Sequence, residues 1–150
     1  MAGAKHPLAK EFYVYEFRVR RVPFYVGIGR ANRDKDRIRY VRRQMVRKKS
    51  GMSSKWVLHT RVLAKLIDRG EKVEAHRTTK GLRRKEALAL EKKRIRWLLS
   101  CGHVFANIHY NPSRPFSPEQ VFQFILRNRK CAAADLSALP RSVRARLTKP

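Results

Sequence analysis

Two short extended runs lie almost back to back near the start of the chain, FYVYEFRV at 12–19 and PFYVG at 23–27. Alternation puts Tyr13, Tyr15, Phe17 and Val19 on one face of the first run, the period-two signature of a strand with one buried side. The connection between the runs contains no Asn-Gly or Asp-Gly, so the hairpin follows from the short spacing and not from turn chemistry. Gly27 and Gly29 are expected to end the second strand and to give the backbone freedom for a sharp turn.

The pattern then changes period. Asn32 is placed to cap a helix over 33–49 with Ile38, Val41 and Met45 as its inward stripe. Ser50, Gly51, Ser53 and Ser54 break that pattern, and a second helix fits 55–69, closed by Gly70. The segment EKVEAHRTT at 71–79 suits a third strand. A third helix is predicted over 82–100, and Ser117 with Gln120 forms a capping box, with Pro118 in the first turn, that opens a last helix. These elements predict an α+β fold, a small three-stranded antiparallel sheet flanked by helices with a C-terminal helical extension. The chain divides into a basic segment at 1–11, a domain at 12–110, and a helix with a basic tail at 111–150.

Charge narrows the class of partner. The 150 residues carry 37 Lys and Arg against 11 Asp and Glu, a net charge of +26, beside 43% hydrophobic content that suffices for one core. Such an excess must face solvent or a polyanion, which makes nucleic acid, DNA first, the expected partner. No apolar run approaches the roughly 20 residues that span a bilayer, so no membrane role is expected. The start MAGAKHPLAKEF lacks the apolar middle of a secretory signal, and an intracellular, cytoplasmic or nucleoid-associated location is expected. Cys101 and Cys131 form no CxxC pair, and Cys101 with His103 is too few ligands for a structural zinc.

The order of elements, with YVY at 13–15, YVG at 25–27, GIGRANR at 27–33, the EALALEKKRI helix and Asn107 after it, resembles the GIY-YIG nucleases. The likeness covers about residues 12–110. It implies a metal-dependent endonuclease that hydrolyses DNA phosphodiesters. By resemblance, Glu91 holds one Mg²⁺ or Mn²⁺, Tyr15 acts as base or hydrogen-bond relay with Tyr25 as its companion, Arg33 stabilises the charge that builds on the phosphate, and Asn107 braces the site.

Helix periodicity bears on Glu91 independently, because it falls on the face shared by Leu88, Ile95, Leu98 and Leu99 while Glu86 falls opposite. A carboxylate on an apolar stripe needs an arginine, hydrogen bonds or a metal ion. A buried ion pair with one of the many arginines is therefore the alternative to a metal. Arg30, Arg37, Arg39, Arg42, Arg43 and Lys55 read as contacts to the phosphate backbone, which give affinity without sequence information. His59, at helical spacing from Trp56, Val62 and Leu63, reads as a core histidine with a catalytic role as the alternative. Phe122, Phe124 and Ile125 read as core, or as a surface for a second copy or a protein partner.

The chain departs from the family pattern where many members carry a histidine one turn past the helix arginine or in the next loop, because Arg37 and Met52 stand there. Tyr13 replaces the first glycine of GIY. A second hypothesis follows, a nuclease-fold protein of weak or absent activity serving as a DNA- or RNA-binding subunit of a larger assembly.

Overall fold

The computed structural model describes residues 10–47, 57–107 and 116–128. Lys55, Met52, Trp56 and the basic tail beyond 128 lie outside the described residues. The elements run β1 (Phe12–Val19), β2 (Val22–Arg30), α1 (Arg33–Arg47), α2 (Leu58–Asp68), β3 (Val73–Leu82), α3 (Arg84–Ser100) and α4 (Pro118–Asn128). The sheet is antiparallel with order β2-β1-β3, so β1 is central and β2 and β3 are its edges. The expected α+β class with three antiparallel strands and flanking helices is the fold observed.

The alternation in β1 sorts two cores. Tyr13, Tyr15, Phe17 and Val19 pack with Ile38, Val41, Val62, Leu63 and Leu66 of α1 and α2 and with Val121, Phe122 and Ile125 of α4. Val14 on the other face packs with Val26, Ala87, Ile95, Leu98 and Phe105 under α3. Helix α4 therefore belongs to the same core as the sheet, with Phe122 and Ile125 inside it. Its start is the expected capping box: the Ser117 amide donates to Gln120 Oε1 at 2.8 Å, and the Gln120 amide donates to Ser117 Oγ at 3.1 Å. Gly70, at φ 80°, closes α2 as expected.

Two expectations are corrected. The second strand does not end at Gly27, because β2 runs on to Arg30 and pairs Gly27 with Tyr15 and Gly29 with Tyr13. The two glycines are not turn residues; they make room for rings. A Cβ on Gly27 would lie 2.9 Å from Tyr25 Cε1 and 3.0 Å from the Tyr15 hydroxyl, and one on Gly29 would lie 2.9 Å from the Tyr13 hydroxyl. The turn itself falls later, at Ala31, whose φ is 51°. On α3 the buried stripe is Ala87, Ile95 and Leu98, and Leu88 points instead into the cleft described below. Glu91 keeps its place on the stripe, four residues from both Ala87 and Ile95.

A buried ion cluster also forms, at a residue the sequence did not single out. Glu16 of β1 is fully buried and is held by Arg18, whose Nε donates to Oε2 at 2.7 Å, and by Arg94 of α3. A buried carboxylate is tolerated only with such partners. The pairing ties α3 to β1 about one turn from Glu91.

Candidate active-site cleft

The β2 edge, the start of α1 and the first half of α3 enclose a cleft of about 840 Å³. Tyr25, Ile28 and Arg30 come from β2, and Gly29, lacking a side chain, leaves the floor open between them. Arg33 enters from the first residue of α1. Across from it, α3 supplies Arg84, Leu88 and Glu91. Three of the residues expected to do chemistry, Tyr25, Arg33 and Glu91, are thus brought to one surface from three elements, across 66 residues of sequence from Tyr25 to Glu91 (91 less 25).

Tyr15 stands behind this wall. Its ring lies 6.1 Å from that of Tyr25, centroid to centroid, and it is buried, with Gly27 directly opposite on β2. Tyr25, expected as the companion, is the tyrosine that lines the cleft. Burial raises the pKa of Tyr15 far above its ordinary value; the neighbouring Tyr25 adds to this, and Arg37 and Arg33 oppose it without prevailing. Tyr25 is raised by burial and then by the Glu91 carboxylate, again against Arg37 and Arg33. Both rings are phenols at neutral pH and serve as hydrogen-bond donors and acceptors.

Asn107 occupies the position of a brace. It is buried; its Oδ1 accepts from the Val26 amide at 2.9 Å and its Nδ2 donates to the Val26 carbonyl at 2.7 Å. One residue earlier, the Ala106 amide donates to the Phe24 carbonyl at 2.7 Å. The chain after α3 thus satisfies the outer edge of β2 beside Tyr25 and Gly27. Asn107 touches backbone and not the cleft, so it positions the wall.

His59, weighed chiefly as a core residue, is half-buried and stacked on Tyr25, with ring centroids 4.2 Å apart and planes at 27°. Burial, reinforced by the charge of Arg37, pushes its pKa down to about 4, so the imidazole is neutral at physiological pH. Arg37 is half-buried and does not line the cleft, but its charge favours the phenolates of Tyr15 and Tyr25 and disfavours the protonated form of His59. The outer face of α1 belongs to Arg39, Arg42 and Arg43, all exposed, with Arg39 paired to Asp36 at 3.3 Å. Arg30 lies at the cleft, paired to Glu11 at 2.9 Å. Arg84 was missed by sequence reasoning, since nothing marks one arginine among the basic residues that open α3.

A metal fits this cleft in one manner. Among the described residues there is no cluster of three or more His, Cys, Asp or Glu side chains, so a cage built wholly of protein ligands is not offered. Glu91 offers a carboxylate at the wall of an open cleft large enough for a hydrated ion. Such an arrangement suits a hard cation that keeps several waters and takes the rest of its oxygens from a phosphate. Comparison with protein-family models, with curated proteins and with solved structures finds no match to this chain. No helix among the described residues is long and apolar enough to cross a membrane.

Proposed function

We propose that this protein is a metal-dependent endonuclease that hydrolyses phosphodiester bonds in DNA, of the GIY-YIG kind. The observation that carries the reading is the convergence of Tyr25, Arg33 and Glu91 on one cleft, with Tyr15 and His59 packed against Tyr25. A module that only grips the phosphate backbone does not need this combination of tyrosine, arginine and carboxylate, whereas a nuclease does.

In this reading Glu91 holds a single Mg²⁺ or Mn²⁺, which when bound supplies Lewis-acid activation of water and of the phosphate oxygens. The remaining work belongs to the chain. Arg33 offers a planar fork of donors to the non-bridging oxygens, where negative charge grows in the transition state. Tyr25, a phenol held by Tyr15 behind it and His59 on its face, orients the attacking water through its hydroxyl. Arg30 and Arg84, on either side of the cleft, hold the flanking backbone. Arg39, Arg42 and Arg43 extend that grip along α1, without reading bases.

Separating cutting from holding tests the reading. Arg33→Ala is expected to slow cleavage of a duplex by on the order of 10²–10³ with little change in affinity, the loss typical of a donor to developing charge. Arg42→Ala is expected to weaken binding and leave the cleavage step unchanged. If wild-type protein binds DNA and cuts it under no metal condition, the nuclease reading fails, and the protein is a nucleic-acid-binding subunit on a nuclease-like scaffold.

A further inference from the structure

The cleft depends on the turn between β2 and α1, because Arg33 is the first residue beyond it. That turn is strained: Ala31 sits at φ 51°, in the left-handed region that a side chain disfavours. What holds it comes from β3, the opposite edge of the sheet, which contributes no residue to the cleft wall.

Arg77 of β3 reaches past β1 to the turn. Its Nε donates to Asp34 Oδ2 at 3.0 Å, while its Nη2 donates to Asp34 Oδ1 at 3.1 Å and to the Ala31 carbonyl at 2.8 Å. Asp34, the second residue of α1, is fully buried. The Tyr13 hydroxyl lies 3.0 Å from both Asp34 Oδ1 and the Ala31 carbonyl and accepts the Asp34 amide at 3.3 Å. The guanidinium of Arg77 lies 4.0 Å above the centre of the Tyr13 ring. Two local features make this possible. Gly29 leaves space for the Tyr13 ring, and the register of β3 against β1 slips between Val14 and Tyr15, beside Arg77. Bulges of this kind re-aim side chains.

We propose that Tyr13, Asp34 and Arg77 are positioning residues for Arg33. The clamp fixes the strained turn and, through it, the backbone from which the Arg33 guanidinium enters the cleft. The inference rests on the nuclease reading of that cleft. Its content is that Arg77 acts on phosphate through Arg33 and in no other way.

A double-mutant cycle in the full-length chain tests this. Single-turnover cleavage of a duplex is measured for wild type, Arg77→Gln, Arg33→Ala and the double variant, with Arg77→Lys as the conservative change and thermal unfolding as a check on folding. Arg77→Gln is expected to slow cleavage on the order of 10²-fold, as a misplacement near 1 Å does. Arg77→Lys keeps the charge and loses the fork, and is expected to recover only part of that loss. Added to Arg33→Ala, Arg77→Gln is expected to cost little more. Equal losses in both backgrounds, or no loss in the wild type, would overturn the proposal. If Arg77→Gln fails to fold, the pair Asp34→Asn with Arg77→Gln, which leaves no unpaired carboxylate in the clamp, carries the same cycle. Should wild type bind without cutting, the nuclease reading falls and the salt dependence of duplex binding decides. Equal, non-additive decreases in slope for Arg33→Ala and Arg77→Gln support the clamp, and an unchanged slope for Arg77→Gln refutes it.

Discussion

His59 lies face to face with Tyr25, ring centroids 4.2 Å apart, and so joins α2 to the wall of the cleft. Its pKa, about 4 in the folded protein against an ordinary 6.5, makes the contact sensitive to acid. The unfolded chain takes up this proton as pH falls through 6.5, and the folded chain does so only near 4. Stability is therefore fully present above pH 6.5 and is lost between 6.5 and 4. Each such proton contributes a slope of up to about 1.4 kcal/mol per pH unit. His59→Phe retains a ring on Tyr25 and removes the proton. Denaturant unfolding across pH 4–7 is expected to show a shallower loss for the variant, and equal slopes would refute the assignment.

Gly27→Ala is expected to destabilise the fold by about 1–3 kcal/mol, the usual range for overpacking a filled core. Its Cβ would meet Tyr25 Cε1 at 2.9 Å and the Tyr15 ring and hydroxyl at 3.0 Å. Because both rings belong to the site, cleavage is expected to fall further than stability alone explains. Thermal unfolding alongside cleavage well below the midpoint separates the two effects. A variant as stable and as active as wild type would show that the close approach is relieved without consequence.

Asn107→Ala removes both partners of the Val26 backbone, and Val26 is fully buried. Leaving a buried backbone group unmatched costs about 1–3 kcal/mol. Asn107→Asp keeps the acceptor for the Val26 amide and turns a carboxylate oxygen toward its carbonyl, so it is expected to be no better. Denaturant midpoints for the two variants check this, and a loss below about 0.5 kcal/mol, the range of ordinary surface changes, would contradict the brace.

Arg42 and Arg43 are exposed on the outer face of α1 and do not line the cleft. If each meets one phosphate, replacing either by Ala lowers the slope of log affinity against log salt by about 0.9 on duplex DNA. Titration at several salt concentrations measures this, and an unchanged slope would move the duplex off α1.

How far the sequence reached depended on the range of the interaction. The alternation of Tyr13, Tyr15 and Phe17, the Ser117–Gln120 box and the placement of Glu91 on the α3 stripe are local patterns, and each appears in the structure where it was expected. Gly27 and Gly29 were legible as special and misread in kind. A glycine serves a turn or a close approach, and only the register of β2 on β1, which brings each opposite a tyrosine, decides between them. Asp34 with Arg77, and Glu16 with Arg94, pair residues 43 and 78 apart. In a chain with this many arginines no spacing singles out those partners. The spacing of His59 on its own helix does not show the strand residue, Tyr25, on which it stacks in three dimensions.

The central claim is that Glu91 serves metal-dependent cleavage in this cleft. Single-turnover cutting of a labelled duplex, with and without Mg²⁺ or Mn²⁺, is measured for wild type and Glu91→Gln, with binding of the same duplex measured in parallel. The account expects metal-dependent cleavage by wild type, its loss in the variant, and binding that is equal or tighter once the carboxylate is neutral. Cleavage by Glu91→Gln at the wild-type rate, or cleavage by wild type that is indifferent to metal, would contradict it.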